Sequence, residues 1–167
     1  TTQTFTFAGG TKGTKSVTVP SNGDSHLEED ETFTANISLT SGNSAIDDSD
    51  TGMGTIIDND AASVTISDAT VEEGENLIFN LELTNDVEGD VEVQVYFENV
   101  TTSDSDYETT PQNFTFAGGI QGTKTVTVPT TEDNIAEADE TFIARISLIS
   151  GNNKVNVSDT STGTIAD

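Results

Sequence analysis

The 167 residues carry 30 Asp and Glu against 5 Lys and Arg, a formal net charge of −25, and no Cys. Phosphate contacts need cations, so this balance excludes nucleic acid and anionic membrane surfaces as partners. Without thiols there is no disulfide framework and no thiolate centre, and no apolar run reaches the length of a membrane span, so direct membrane insertion is not expected.

Period-two alternation of apolar and polar residues dominates the chain, and no segment has a helical period. Residues 1–58 hold four strand-like stretches and residues 59–62 form a short linker. Seven strands are then expected over 63–167. They are anchored in chain order by Val64 and Ile66, by Leu77, Phe79, Leu81 and Leu83, and by Val91, Val93, Val95 and Phe97. Next come Phe114 and Phe116, Val126 and Val128, then Phe142, Ala144, Ile146 and Leu148, and finally Ile165. Thr, Ser, Glu and Asn fill the alternate positions, so one face of each strand is buried and one is wet. Seven short strands with Gly, Asn and Asp turns predict an all-β fold, an antiparallel immunoglobulin-like β-sandwich.

The first 58 residues repeat the end of the chain. Phe5-Thr6-Phe7-Ala8-Gly9-Gly10 returns as Phe114-Thr115-Phe116-Ala117-Gly118-Gly119, and Asp30-Glu31-Thr32-Phe33 as Asp139-Glu140-Thr141-Phe142. Residues 3–58 lie over 112–167 at a constant offset of 109, with 34 of 56 positions identical. The chain therefore reads as a tandem array: a complete repeat over 63–167, preceded by the C-terminal half of another over 1–58. Such a half lacks its first three strands and cannot close a sandwich alone. Its inner face should stay unfolded, take a complementing strand from another molecule, or compete with residues 112–167 for the strands they share. Arrays work by length, stiffness or multivalency, which makes an isolated catalytic centre an unpromising expectation.

The acids are placed unevenly. In an antiparallel sandwich the first, third and fifth loops and the end of the last strand share one pole. There lie Glu72 and Glu73, then Asp104, Asp106 and Glu108, then Glu132, Asp133, Glu137 and Asp139, and finally Asp167, with Asp58 and Asp60 at the equivalent place in the first copy. The fourth loop, Ala117 to Lys124, at the other pole, has no acid. Two carboxylates about 4 Å apart repel by roughly 1 kcal/mol in water and about 4 kcal/mol at an effective dielectric of 20. Either the pole is a solvated, solubilising surface, or a hard cation relieves the repulsion. An all-oxygen donor set without His or Cys suits Ca²⁺ better than Zn²⁺, copper or Mg²⁺.

Val71-Glu72-Glu73-Gly74, Ser105-Asp106-Tyr107, Phe114 to Gly119, Lys124 to Val128, Glu137-Ala138-Asp139-Glu140-Thr141-Phe142 and Gly163 to Asp167 resemble, in order and spacing, the Calx-β pattern. The resemblance covers both the complete repeat and the half copy. It implies a calcium-binding sandwich of the type found in regulatory loops of sodium–calcium exchangers and in long bacterial surface proteins. The ligands it implies are Glu73, Asp106, Glu132, Asp133 and Glu137, the main-chain carbonyl of Ile135, and Asp167; in the half copy they are Asp24, Glu28, Asp58 and Asp60. The sequence departs from the pattern at Asn134, where an acid is common, at Gly23, which stands where Glu132 does, and at Asp167, which has no acidic successors. Fewer or weaker ions are the expected consequence, and the half copy lacks the acids of the first and third loops.

Other signals are weak. Gly122-Thr123-Lys124-Thr125 has its Lys one place off a phosphate loop and enters a strand. His26 is the only histidine, and its repeat equivalent is Ile135. Carboxylate pairs serve glycosidases, but here they sit at a pole without an evident cleft. The sequence-level expectation is a non-enzymatic, calcium-stiffened repeat of an extracellular bacterial adhesin or surface filament, with neighbouring repeats as partners. A glycan- or protein-recognition module and a calcium-sensing transporter domain are the alternatives.

Overall fold

A computed structural model describes residues 2–167. Among these residues ten strands are formed: β1 (Glu31–Asn36), β2 (Thr51–Ile56), β3 (Val64–Ile66), β4 (Ala69–Glu72), β5 (Asn76–Leu83), β6 (Val91–Asn99), β7 (Gln112–Phe116), β8 (Gly122–Pro129), β9 (Glu140–Ser150) and β10 (Thr160–Ala166). β3 to β10 build a sandwich of a five-stranded sheet, ordered β4-β10-β9-β6-β7, on a three-stranded sheet, ordered β3-β5-β8. The fold is all-β, as expected.

The alternation read from the sequence becomes the core. Leu77, Phe79, Leu81 and Leu83 of β5 and Val91, Val93 and Val95 of β6 are buried, while the residues between them on β5 are exposed. The two sheets meet at Phe79 and Phe142, whose rings lie edge to face at 6.0 Å. Phe142 stacks on Tyr107 at 4.1 Å and takes the edge of Phe97 at 5.6 Å. Across the β9–β10 ladder Phe142 faces Gly163. A Cβ at that glycine would collide with the ring, so the close approach of the aromatic requires Gly there.

The first of the seven expected strands runs as two segments. β3 pairs antiparallel with β5, but the chain then crosses to the other sheet, where β4 lies parallel to β10. Two sets of hydrogen bonds accompany the crossing. Ser67 N–H donates to the Asn80 carbonyl and Asn80 N–H to the Ser67 hydroxyl, which ends pairing on β5. Asp68 then accepts from the Thr162 amide at 2.7 Å, which hitches the chain to β10.

Residues 2–58 behave differently. Their two strands, β1 and β2, pair with each other as an antiparallel ribbon. Phe5, Phe7, Val17 and Val19, whose equivalents in β7 and β8 are strand residues, lie in no strand and are exposed. One residue of this half is an exception. Leu27 is 1% exposed and belongs to the buried cluster of the sandwich, with Ala62, Val87 and Val155.

Candidate metal site at the acidic pole

Backbone pairing assembles the pole. The parallel β4–β10 ladder brings Glu72 beside Ala166, and Glu73 N–H donates to the Ala166 carbonyl at 2.9 Å, so Glu73 and Asp167 are neighbours. The loop after β6 is tied to the end of β8 by a bridge between Tyr107 and Thr130, with Glu108 N–H on the Pro129 carbonyl and Thr131 N–H on the Asp106 carbonyl at 2.8 Å. Thr130 donates from both its amide and its hydroxyl to the Glu75 carbonyl. Three loops distant in sequence are thus held by main-chain bonds, and their carboxylates are brought together as a consequence.

Tyr107 is the pin of this arrangement. Its ring is buried against Phe142 and Phe97, and its hydroxyl donates to Asn99 Oδ1 at 2.6 Å. Its neighbour Asp106 is aimed at the pole and accepts from the Ser103 amide at 2.6 Å and from the Ser103 and Ser105 hydroxyls. The Ser103 amide holds its carboxyl below the usual range.

The result is a recess of about 110 Å³ lined by Glu73, Ser105, Asp106, Thr131, Asp133, Glu137, Glu140 and Ile165. Of the expected ligands, Glu73, Asp106, Asp133 and Glu137 line it directly. Glu132 and Asp167 stand close enough to Glu73 to act on it: desolvation, then the charges of Glu132, Asp133 and Asp167, raise the Glu73 carboxyl. Ile135 is 63% exposed, and its amide donates to Asp133 Oδ1 at 2.6 Å in a tight Asx turn. The structure does not gather its carbonyl into the recess lining.

Glu140, the first residue of β9, is a member of the recess that the ligand set left out, although it stands in the Glu-Ala-Asp-Glu-Thr-Phe motif. Desolvation raises its carboxyl, and so does a hydrogen bond shared with Asp106; Asp106, Glu137 and Glu73 add their charges. The signal that could have found it is the strand alternation: Glu140 precedes buried Phe142 by two and shares its inward face. By contrast Asp104 and Glu108, at the same pole, are committed to local bonds with Asn99 and Thr110.

In the half copy, Glu28 is raised by desolvation, then by Asp24, by Glu88 of the loop between β5 and β6, by Glu31 and by Asp58. Asp24, Glu28 and Asp58 are therefore together, and Asp60 is not among the groups acting on Glu28. Asp24 makes the same Asx turn as Asp133, accepting from the His26 amide at 2.9 Å. Asp58 Oδ2 is buried without a hydrogen-bond partner.

The donor chemistry fits a hard cation. Every side chain at the recess that can ligate offers oxygen, two of its carboxyls are raised by burial and mutual repulsion, and no cation of the protein itself is among its lining residues. Among the described residues, no three His, Cys, Asp or Glu side chains lie close enough together to hold a metal ion.

Two stretches, residues 1–70 and 57–167, match the Calx-beta domain family. The chain belongs to that family. Among solved structures it is similar to the CBD12 of CALX1.2, with 19% identity over 63% of this chain and 45% of that one at a TM-score of 0.52. It is also similar to the calcium binding domain CBD12 of CALX1.1, with 21% identity over 62% and 45% at 0.53. The apo form of the Calx CBD1 domain matches with 15% identity over 65% and 100% at 0.51. The chain thus spans less than half the length of the CBD12 structures, and at these identities the likeness is one of fold. No curated protein matches it in sequence.

Proposed function

We propose that the acidic pole of each repeat binds Ca²⁺ and that the protein is a non-catalytic, calcium-stiffened structural repeat of a long extracellular bacterial adhesin or surface filament. The observation that carries the calcium reading is the convergence of Glu73, Asp106, Asp133, Glu137 and Glu140 on one recess, with Glu73 and Glu140 raised by burial and like charge. Glu73, Asp106, Asp133 and Glu137 would hold the ion, with Glu132, Asp167 and the Ile135 carbonyl able to join as the 131–139 loop closes. Bound calcium supplies neutralising charge and a cross-link between loops. In this reading 63–167 is one complete repeat, 59–62 the linker and 1–58 the second half of a preceding repeat, whose inner face is left unfolded, completed by a strand of another molecule, or in competition with 112–167 for the strands they share. The identity of the two copies at 34 of 56 aligned positions favours an array, whose partners are its own neighbouring repeats.

A calcium-sensing regulatory domain of a transporter is the second reading. The likeness to the calcium binding domain CBD12 of CALX1.1 favours it. Calcium-dependent elongation in small-angle scattering supports the stalk. A large change in inter-repeat angle with no stiffening supports the sensor.

The primary test is thermal unfolding of the full chain with calcium and with chelator, beside Glu137→Ala. An ion that binds only the folded state stabilises by about 2.7 kcal/mol at a hundredfold excess over its dissociation constant. The expected result is a calcium-dependent rise in midpoint that shrinks in Glu137→Ala. No shift at millimolar calcium would leave the acids as a solubilising surface.

A further inference from the structure

The junction between the two copies holds a second constructed contact, and it needs no ion. Leu27, in the loop before β1, makes a parallel bridge with Val87, in the loop between β5 and β6. Leu27 N–H donates to the Asp86 carbonyl at 3.0 Å, and Glu88 N–H donates to the Leu27 carbonyl at 2.9 Å. The Leu27 side chain is 1% exposed and lies in the sandwich's own buried cluster. Both sides are clamped. Asn85 Nδ2 donates to the Ser25 carbonyl at 2.8 Å and to the Ala61 carbonyl at 3.2 Å, so one amide holds the peg loop and the linker together. Lys154, in the loop between β9 and β10, reaches Asp30 at 3.0 Å and the Glu28 carbonyl at 3.4 Å.

We infer that the end of the sandwich formed by Asn85 to Glu88 and Lys154 is a receptor for the preceding repeat, and that Leu27 is the peg that seats it. The contrast within the half copy is the reason. Phe5, Phe7, Val17, Val19, Met53 and Ile57 are all exposed, yet Leu27 is sealed in a core that belongs to the other repeat. A lone apolar side chain buried across a junction, with two main-chain bonds around it, fixes both position and rotation, which a linker of four residues alone does not. The repeat offset adds specificity: the residue equivalent to Leu27 in the second copy is Ala136, so this peg belongs to this junction and is not a requirement of the sandwich. Lys154, whose equivalent in the first copy is Ala45, is likewise on the receptor side only.

Amide hydrogen exchange on the full chain tests this. In Leu27→Asp, exchange at residue 27 and at Glu88 is expected to quicken about tenfold or more, while Phe79 and Val93 in the sandwich keep wild-type protection. Asn85→Ala, which leaves the peg intact, is expected to loosen the same two amides by a smaller factor. Unchanged protection at both amides in both variants would overturn the proposal. So would loss of protection at Phe79 and Val93 together with them, because Leu27 would then be a core residue of the sandwich and not a peg between repeats.

Discussion

Residues 3–58 and 112–167 share most of their sequence and differ in structure. Phe114-Thr115-Phe116 is the C-terminal part of β7, paired with β6, whereas the identical Phe5-Thr6-Phe7 forms no strand. Val126 and Val128 in β8 are fully buried against β5, and their equivalents Val17 and Val19 are more than half exposed. The difference lies in partners: β5 and β6 exist once in this chain, and the second copy holds them. Alternating apolar residues specify which face a strand buries, but the strand itself needs a neighbour to bond to and a face to cover. What survives in the first copy is the β1–β2 ribbon, whose two strands supply each other's main-chain bonds.

The largest test of this contrast is a matched pair of truncations. Phe142 is fully buried between Phe79, Phe97 and Tyr107, so Phe142→Ala should cost about 3–5 kcal/mol in urea unfolding. Its equivalent Phe33 is 37% exposed, and Phe33→Ala should cost less than about 1 kcal/mol. Equal losses would mean that the first copy has a packed core of its own. Loss of the calcium response would accompany Phe142→Ala, because the Tyr107 ring that positions Asp106 rests on it.

A finer version uses the glycines under those rings. Gly163 and Gly54 sit across from Phe142 and Phe33, and a Cβ at either would collide with the ring. Phe142 is wedged by Tyr107 and cannot yield, so Gly163→Ala should destabilise by about 1–3 kcal/mol. Phe33 can swing into solvent, so Gly54→Ala should fall within about 0.5 kcal/mol of wild type. Chemical denaturation of the two variants side by side checks the prediction, and a reversed order would contradict the packing difference.

The same contrast marks what could be read from sequence. Strand faces, core residues and the acidic pole were legible because alternation and antiparallel order place them without knowledge of side-chain detail. The split of the first strand was not, since it hangs on Ser67 and Asp68 finding Asn80 and Thr162, contacts between residues far apart in the chain. Glu140 shares the inward face of Phe142, which the alternation shows, but that it meets Asp106 follows only from the Tyr107–Thr130 bridge and the Thr131 amide on the Asp106 carbonyl, contacts between distant loops. Leu27 carried no signal at all, because its burial is supplied by another repeat.

The smallest effect concerns pH, and it separates the two sides of the recess. Glu73 and Glu140 are raised above the ordinary glutamate value of 4.5 by desolvation and by neighbouring carboxylates. A group raised in the fold contributes stability that is fully present below its unfolded value and is lost as pH rises through the folded one. The metal-free protein should therefore gain stability as pH falls from 7 toward 4.5. Asp106 has the opposite sign. Held below the ordinary 3.8 by the Ser103 amide, it contributes stability present above that value and lost as pH falls through its lowered one, so the profile should turn over at lower pH. Ligating carboxylates must be ionised, so calcium should invert the upper limb: its stabilising shift should shrink as pH falls over the range in which the metal-free protein gains. Unfolding midpoints between pH 3 and 7, with chelator and with calcium, beside a Glu73→Gln and Glu140→Gln double variant, read both slopes. A chelator profile that loses its slope above pH 4.5 in the double variant but keeps the turnover from Asp106, beside a wild type that slopes there, would locate the strain in these two glutamates; identical profiles would place it in the rest of the acidic surface, where the charge of −25 is spread too widely to act at one site.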